Sequence, residues 1–330
     1  MSHSLPIRWS VPLPGLCIDP PMGLADVVTC QAGTGVLAFD ARTGAHRWSV
    51  EVAGGATRPF FVAGGHVMVG TQTPPERVTR LTGIDAAGAV VWKTFLGTIA
   101  GNDGCSSGNE AFLPATRVPR GVSFHALDVR TGAVTSTALE WGMQGLAVAG
   151  DQLIARNRFG GAKFPGLYFI SPTGIPGQRL LDAPVYTVLT DAHRTYCVTT
   201  ATGPSNFELL VRGADGFTPR WAAPTGTFQC AVDGAQLVHA DPGDPRTVVS
   251  RDVETGDIQW RSEPASMDVS SLVFAGGYVF ARVDGGLVVL EREDGRLRGL
   301  ATGAFTVASY DEGIYIVGNG IVQCWAPAGG

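Results

Sequence analysis

Short runs of apolar residues, many alternating with polar ones, follow one another along the whole chain and are separated by turn residues. In the clearest example, residues 36–39 lead into Asp40, a turn follows at Arg42-Thr43-Gly44, and a second run contains Trp48. Asp accepts hydrogen bonds from backbone amides two residues on, and Gly adopts the positive φ that a hairpin turn requires. The segment therefore predicts a β-hairpin, with Trp48 available to fill a gap between sheets.

The same hairpin pattern recurs along the chain. Its turn glycine returns every 39 to 44 residues, and each interval contains about four short strand-like runs. This period is typical of a β-propeller blade, which is one four-stranded antiparallel sheet. The marking glycines are Gly44, Gly88, Gly132, Gly174, Gly216, Gly256 and Gly295.

The two ends of the chain complete the count of blades. After Gly303 only three strand-like runs remain, at residues 306–309, 314–317 and 321–325. Residues 6–11 resemble an outer strand without a blade, because Trp9 has the Arg and Ser neighbours of Trp48 and Trp260. We expect this N-terminal strand to close the last blade, which leaves no free edge there. The prediction is an all-β, eight-bladed β-propeller of four-stranded antiparallel blades, forming a single domain over residues 1–330.

One motif carries a family resemblance. Residues 38–48 read Ala-x-Asp-x-x-Thr-Gly-x-x-x-Trp, residues 250–260 match apart from Ser for Ala, and residues 126–132 match without the Trp. This pattern resembles the pyrroloquinoline-quinone-like (PQQ-like) repeat. That family builds eight-bladed propellers, with a repeat architecture like that of WD40 and YVTN proteins. It includes quinoprotein alcohol dehydrogenases and a lipoprotein scaffold of outer-membrane assembly.

The repeat residues are given structural roles. The tryptophans are expected to anchor neighbouring blades by burying a large apolar surface, and the aspartates to fix turns and not to bind a ligand. These residues are Trp9, Trp48, Trp92, Trp221, Trp260, Asp40 and Asp252.

No cofactor and no metal are expected. The quinoprotein dehydrogenases resemble one another in adjacent cysteines, a Trp under the quinone ring and acidic calcium ligands. This chain has no adjacent cysteines, and its tryptophans stand at the repeat position. The six histidines are scattered without the spacing of metal ligands. Residues 101–104 and 241–244 are interpreted as Asx turns in loops and not as calcium sites.

Charge and cysteine usage restrict the class of partner. The net charge is −5 with no Lys/Arg block, so nucleic acid is not an expected partner. No apolar run approaches the ~18 residues of a membrane span, and the N-terminus does not resemble a signal peptide. The six cysteines form no CxxC pair and are expected to be buried free thiols. We therefore interpret the chain as a monomeric cytoplasmic protein.

A candidate site follows from the fold. Inner strands of a propeller begin on one face, and the connections that lead into them meet there around the central channel. Two loops predicted there, residues 97–108 and 157–166, are the longest, which favours a use in binding. The residues expected to bind a ligand at this mouth are Asp19, Arg58, Gln144, Gln229 and Phe305. Those expected to carry acid–base chemistry, if the protein is an enzyme, are Asp103, Asp268 and Tyr186.

Two functions remain open. The first is a binding or scaffold protein that holds a protein, a peptide or a small molecule at the channel mouth. The alternative is an enzyme, such as a hydrolase, lyase or isomerase, that acts on a small molecule there. An enzyme predicts a closed concave pocket, whereas a scaffold predicts an open channel or a flat exposed patch.

Overall fold

All regular secondary structure in the described residues is β-strand. The computed structural model describes residues 5–17, 19–52, 56–73, 78–96, 99–100, 104–116, 122–139, 143–149, 151–157, 165–191, 193–200, 207–213, 215, 218–227, 229–263, 268–311 and 313–326. The strands form eight antiparallel sheets, which are the blades of an eight-bladed propeller. The predicted fold class is therefore confirmed.

The first half of the chain forms blades 1 to 4. Strand β1 is Ile7–Pro12. Blade 1 has β2 (Met22–Leu24), β3 (Val27–Ala32), β4 (Gly35–Asp40) and β5 (His46–Glu51). Blade 2 has β6 (Ala56–Ala63), β7 (His66–Thr73), β8 (Val78–Asp85) and β9 (Val90–Phe95). Blade 3 has β10 (Ile99–Ala100), β11 (Cys105–Ser107), β12 (Glu110–Thr116), β13 (Val122–Asp128) and β14 (Val134–Leu139). Blade 4 has β15 (Gly145–Ala149), β16 (Gln152–Asn157), β17 (Gly166–Ile170) and β18 (Pro176–Leu181).

The second half forms blades 5 to 8. Blade 5 has β19 (Val185–Thr190), β20 (Arg194–Thr200), β21 (Phe207–Gly213) and β22 (Pro219–Thr225). Blade 6 has β23 (Cys230–Asp233), β24 (Gln236–Ala240), β25 (Val248–Asp252) and β26 (Ile258–Ser262). Blade 7 has β27 (Ser271–Ala275), β28 (Tyr278–Val283), β29 (Gly286–Glu291) and β30 (Leu297–Thr302). Blade 8 has β31 (Ala304–Tyr310), β32 (Gly313–Gly318) and β33 (Ile321–Trp325), with β1 as its outer strand.

Blade 8 joins the two ends of the chain. Strand β1 pairs antiparallel with β33, so that Ser10 lies opposite Gln323. Two further backbone bonds extend the pairing, from the amide of Leu13 to the carbonyl of Gly320 (2.7 Å) and from Ala326 to Pro6 (3.0 Å). The N-terminal strand therefore completes the last blade, as the sequence predicts.

Blade 3 differs from the prediction at its inner edge. Residues 97–108 were expected to form a long mouth loop, but they contain β10 and β11, which both pair with β12. Ile99 lies opposite Thr116, and Cys105 lies opposite Phe112. The loop interpretation was therefore wrong for these strands. The inner strand was missed because it is split, and because Cys105-Ser106-Ser107-Gly108 lacks an apolar alternation.

Five outer strands each carry a tryptophan whose side chain contacts the following blade. Each indole N–H donates a hydrogen bond to a carbonyl of the turn between the third and outer strands of the following blade. The accepting residue directly follows the acidic residue of that turn. The bonds run from Trp9 to Ala41 (3.2 Å), from Trp48 to Ala86 (2.9 Å), from Trp92 to Val129 (2.7 Å), from Trp221 to Val253 (2.9 Å) and from Trp260 to Arg292 (2.8 Å).

The same indole rings lie against the turn glycines. A Cβ at Gly44 would come within 2.6 Å of the Trp9 ring, and one at Gly132 within 2.7 Å of the Trp92 ring. Both glycines have φ +72°, a conformation that side chains with a Cβ rarely adopt. We call the indole hydrogen bond together with this ring contact the Trp lock. It requires glycine at the turn for two reasons, conformation and space.

Three junctions between blades lack a tryptophan, those that follow blades 3, 4 and 7, and the first and the last of them have a local explanation. Blade 3 has Ser136 at the Trp position, and the ring of Phe124 lies against Gly174 instead, where a Cβ would come within 2.6 Å of it. Blade 7 has Gly299 at that position, where a Trp would have no turn to contact. The reason is that blade 8 has the chain ends in place of the turn before its outer strand.

The aspartate of the turn fixes the backbone that receives the indole. One carboxylate oxygen of Asp40 accepts bonds from the Arg42 amide (3.1 Å) and from the Thr43 amide and hydroxyl (both 2.9 Å). Asp252 accepts from the amides of Glu254 (2.8 Å) and Thr255 (3.0 Å) in the same way. The hydrogen bonds that Asp40 accepts lower the pKa of its carboxyl from 3.8 to about 2. Those from Thr43 have the largest effect, followed by that from the Arg47 side chain.

The closure of the ring by β1 predicts a hydrogen-exchange result. The amides of residues 7–11 should be protected to the same degree as those of β26, the outer strand of blade 6, because both strands belong to complete blades. Hydrogen–deuterium exchange read by mass spectrometry on the two peptides measures this. Exchange of residues 7–11 at the rate of an unfolded peptide, with β26 protected, would contradict the closure.

The turn aspartates predict a dependence of stability on pH. Because the folded pKa of Asp40 lies below its unfolded value, its ionised form stabilises the fold above about pH 4, and this contribution disappears as the pH falls towards 2. Asp40→Asn should therefore lose less of its free energy of unfolding over that range than the wild type. Urea unfolding at several pH values measures it. Asp151→Asn, a change at an exposed turn carboxylate, is the control and should follow the wild type.

Candidate functional site

A pocket of about 660 Å³ opens between blades 6, 7 and 8 on the face where the inner strands begin. We call it the mouth pocket. It is formed by the connections that enter β23, β27 and β31 and by the turn between β28 and β29. Its polar lining residues are Gln229, Asp268, Ser270, Ser271, Arg282 and Asp284.

The strand pairing of blade 7 positions most of these residues. The amide of Ser270 donates to the carbonyl of Arg282 (2.8 Å), so the start of β27 is fixed beside the end of β28. The amide of Val269 donates to the carbonyl of Pro245 (3.0 Å). Pro245 belongs to the connection between β24 and β25, which we call the blade 6 connection, so this bond holds Asp268 against it. Gly285, with φ +86°, allows the tight turn that places Asp284 at the rim.

The charged groups of the mouth pocket are not neutralised by one another. In the parts of the chain that the structure describes, the side chains of Asp268, Arg282 and Asp284 form no ion pair within 4.0 Å. The neighbouring blade 6 connection differs, because Asp244 binds Arg246 at 2.7 Å and Asp241 binds Arg261. The mouth pocket thus presents one guanidinium and two carboxylates to solvent.

The structure brings together two of the residues that the sequence predicts for the mouth. Gln229 and Asp268 both line the mouth pocket. Gln144 and Tyr186 are half-buried on blades 4 and 5 and do not line it, and Asp19 is buried in the connection from β1 to β2. Asp268 and Tyr186 are therefore not paired in one pocket for acid–base chemistry.

Three predicted residues lie wholly or partly outside the described part of the chain. Asp103 lies outside the described residues. Arg58 and Phe305 lie within β6 and β31, and their side chains are outside the described part of the chain. Of the second long loop, residues 158–164 are also outside it, and Asn157 pairs with Gly166 at its base.

Sequence reasoning missed Arg282 and Asp284. The predicted mouth residues stand at the starts of inner strands and in long loops. Arg282 and Asp284 instead flank a tight turn between the second and third strands of blade 7. The available signal was the sequence Arg282-Val283-Asp284-Gly285-Gly286, in which charged residues precede a glycine turn on the mouth face.

A second cavity occupies the central channel towards the opposite face. It measures about 750 Å³ and is lined by the later halves of inner strands, including Val148, Leu189, Val232 and Phe274. Cys105 also borders it, but burial raises the pKa of this thiol to about 12. A protonated thiol is a poor nucleophile, so this shift disfavours Cys105 as a nucleophile at neutral pH.

Within the described residues there is no group of three or more His, Cys, Asp or Glu side chains placed to hold a metal ion. In that same part of the chain, no helix has the length and hydropathy needed to cross a membrane. All six cysteines are free thiols, five of them buried.

A family model agrees with the repeat anatomy. The model described as outer membrane protein assembly factor BamB, which is built from PQQ-like repeats, matches residues 7–138, less than half of the 330-residue chain. The Trp locks continue beyond that match to Trp221 and Trp260. Over residues 7–138 the chain is similar to the PQQ-like β-propeller repeat family. The PQQ-like assignment proposed from the motif is therefore confirmed.

Solved structures resemble this propeller over nearly its whole length. BamB from Moraxella catarrhalis is 15% identical, with 98% of this chain and 100% of that chain covered at a TM-score of 0.67. Sqt1 from Saccharomyces cerevisiae is 10% identical, with 99% and 100% covered and a TM-score of 0.67. The C-terminal WD40 domain of Sif2 is 10% identical, with 100% of both chains covered and a TM-score of 0.69. At such identities the likeness shows the fold alone. No curated protein matches the sequence.

Proposed function

We propose that this PQQ-like propeller is a monomeric cytoplasmic binding protein that holds a protein or peptide partner at the channel mouth. The observation that supports the proposal is the mouth pocket, where Asp268, Arg282 and Asp284 have no ion-pair partners in the described residues. Charged groups left solvated on a rigid scaffold are available for a partner and give specificity through charge complementarity. The six free thiols support a reducing compartment.

The family supports a binding role as well. BamB, named as an assembly factor, shares the repeat and the fold. Two acid–base candidates, Asp268 and Tyr186, lie apart, which favours binding over the enzymatic alternative. The Trp locks all lie on the opposite side of the blades, at the turns before the outer strands, so partner contacts at the mouth leave the ring undisturbed.

Partner capture with matched variants tests the proposal. The mouth variant Asp268→Asn/Arg282→Gln removes one charge of each sign from the mouth pocket. The control variant Arg42→Gln/Asp311→Asn removes the same charges from the opposite face, where both residues line a separate cavity. Partners captured by the wild type are identified by mass spectrometry, purified and measured again. We expect the mouth variant to bind about tenfold more weakly or worse, because each lost ionic hydrogen bond contributes about 1.5–3 kcal/mol.

The control variant should bind its partner as the wild type does. A purified partner that binds the mouth variant normally but loses affinity for the control variant would place the binding surface on the opposite face and contradict the proposal. Equal unfolding midpoints for the two variants exclude a trivial loss of folding.

A further inference from the structure

We infer that the mouth pocket binds a small zwitterion, a molecule that carries one carboxylate and one ammonium group as an α-amino acid does. The inference rests on the proposed use of the mouth as a binding surface and names the chemistry of one ligand class for it. It follows from the signs of the uncommitted charges and from the size of the pocket.

Arg282 supplies the recognition of a carboxylate. Its guanidinium is exposed in the mouth pocket and, within the described residues, has no carboxylate partner within 4.0 Å. A guanidinium presents parallel N–H donors that match the two oxygens of a carboxylate. Ser271, half-buried on the same wall, adds a hydroxyl donor beside it.

Asp268 and Asp284 supply the recognition of an ammonium group. Both carboxylates border the same pocket as Arg282, and both are exposed. An ammonium offers three donors, and two carboxylates can receive them. Among the described lining residues two carboxylates accompany one guanidinium, so this lining has a net negative charge, although Arg246 of blade 6 interacts electrostatically with Asp268. A purely anionic ligand is therefore repelled, and a purely cationic ligand leaves Arg282 without a partner.

The walls fit a small molecule with a short carbon chain. The pocket volume of about 660 Å³ is within the range of small-ligand sites. Val283, Ala304 and the backbone of Gly285 and Gly286 form its apolar part. Gly286 cannot be larger, because a Cβ there would lie 2.5 Å from the carbonyl oxygen of Ala301.

Isothermal titration calorimetry on the full chain tests the inference. The common L-α-amino acids with uncharged side chains are screened first by thermal shift, and the tightest is then compared with its own amide and its own N-acetyl derivative. The amide keeps only the positive charge, and the N-acetyl derivative keeps only the negative one. We expect the amino acid to bind about tenfold more tightly or better than either derivative.

The variants should separate the two halves of the pocket. Arg282→Gln should abolish the preference over the amide, and Asp268→Asn/Asp284→Asn should abolish the preference over the N-acetyl derivative. The control variant Arg42→Gln/Asp311→Asn should keep both preferences, and unchanged unfolding midpoints confirm that each variant is folded. Absence of binding by every amino acid, or equal affinity for the amino acid and its amide, would overturn the inference.

Failure of this inference is distinguishable from failure of the proposed function. A macromolecular partner that is lost from the mouth variant, in a protein that binds no amino acid, would leave the proposed function standing and remove only the zwitterion. Amino-acid binding that depends on Arg282, with partner binding confined to the opposite face, would remove only the proposed protein partner.

Discussion

The ring depends on one repeated contact, the docking of an outer-strand tryptophan on the turn of the next blade. Each indole donates to a turn carbonyl at 2.7–3.2 Å and covers a glycine that has no room for a side chain. The contact couples three local requirements. Asp shapes the turn, glycine keeps it open, and tryptophan fills it. Trp9 makes the same contact between blades 8 and 1, so the strand that completes the last blade also docks on the first.

Most of the fold was predictable because the lock leaves a mark in the sequence. Asp40, Thr43, Gly44 and Trp48 all serve one turn or the turn beside it, so their spacing is fixed and repeats with each blade. Where the lock is absent the signal fades, since Phe124 replaces the missing tryptophan of blade 3 from a different strand. The split inner strand of blade 3 was missed because its pairing with β12, and not its own alternation, determines its conformation.

The candidate site was only partly predictable, because the mouth is made where separate blades meet. Gln229 and Asp268 were found because they stand just before inner strands. Arg282 and Asp284 reach the same pocket from a tight turn, and no local pattern shows which inner strand that turn faces. The two faces of the ring therefore differ in what their residues do. Turns next to the outer strands are fixed by the Trp locks, whereas the residues that line the mouth pocket take no part in those contacts and include charged side chains.

The most direct measurement compares Gly132→Ala with Gly65→Ala by equilibrium urea unfolding. The two glycines have nearly the same φ, +72° and +75°, but a Cβ at Gly132 meets the Trp92 ring while one at Gly65 meets nothing within 4 Å. Backbone strain alone should lower the free energy of unfolding by about 1–2 kcal/mol in both. Displacement of Trp92 should cost Gly132→Ala at least about 2 kcal/mol more. Equal losses in the two variants would contradict the dependence of the ring on the Trp lock.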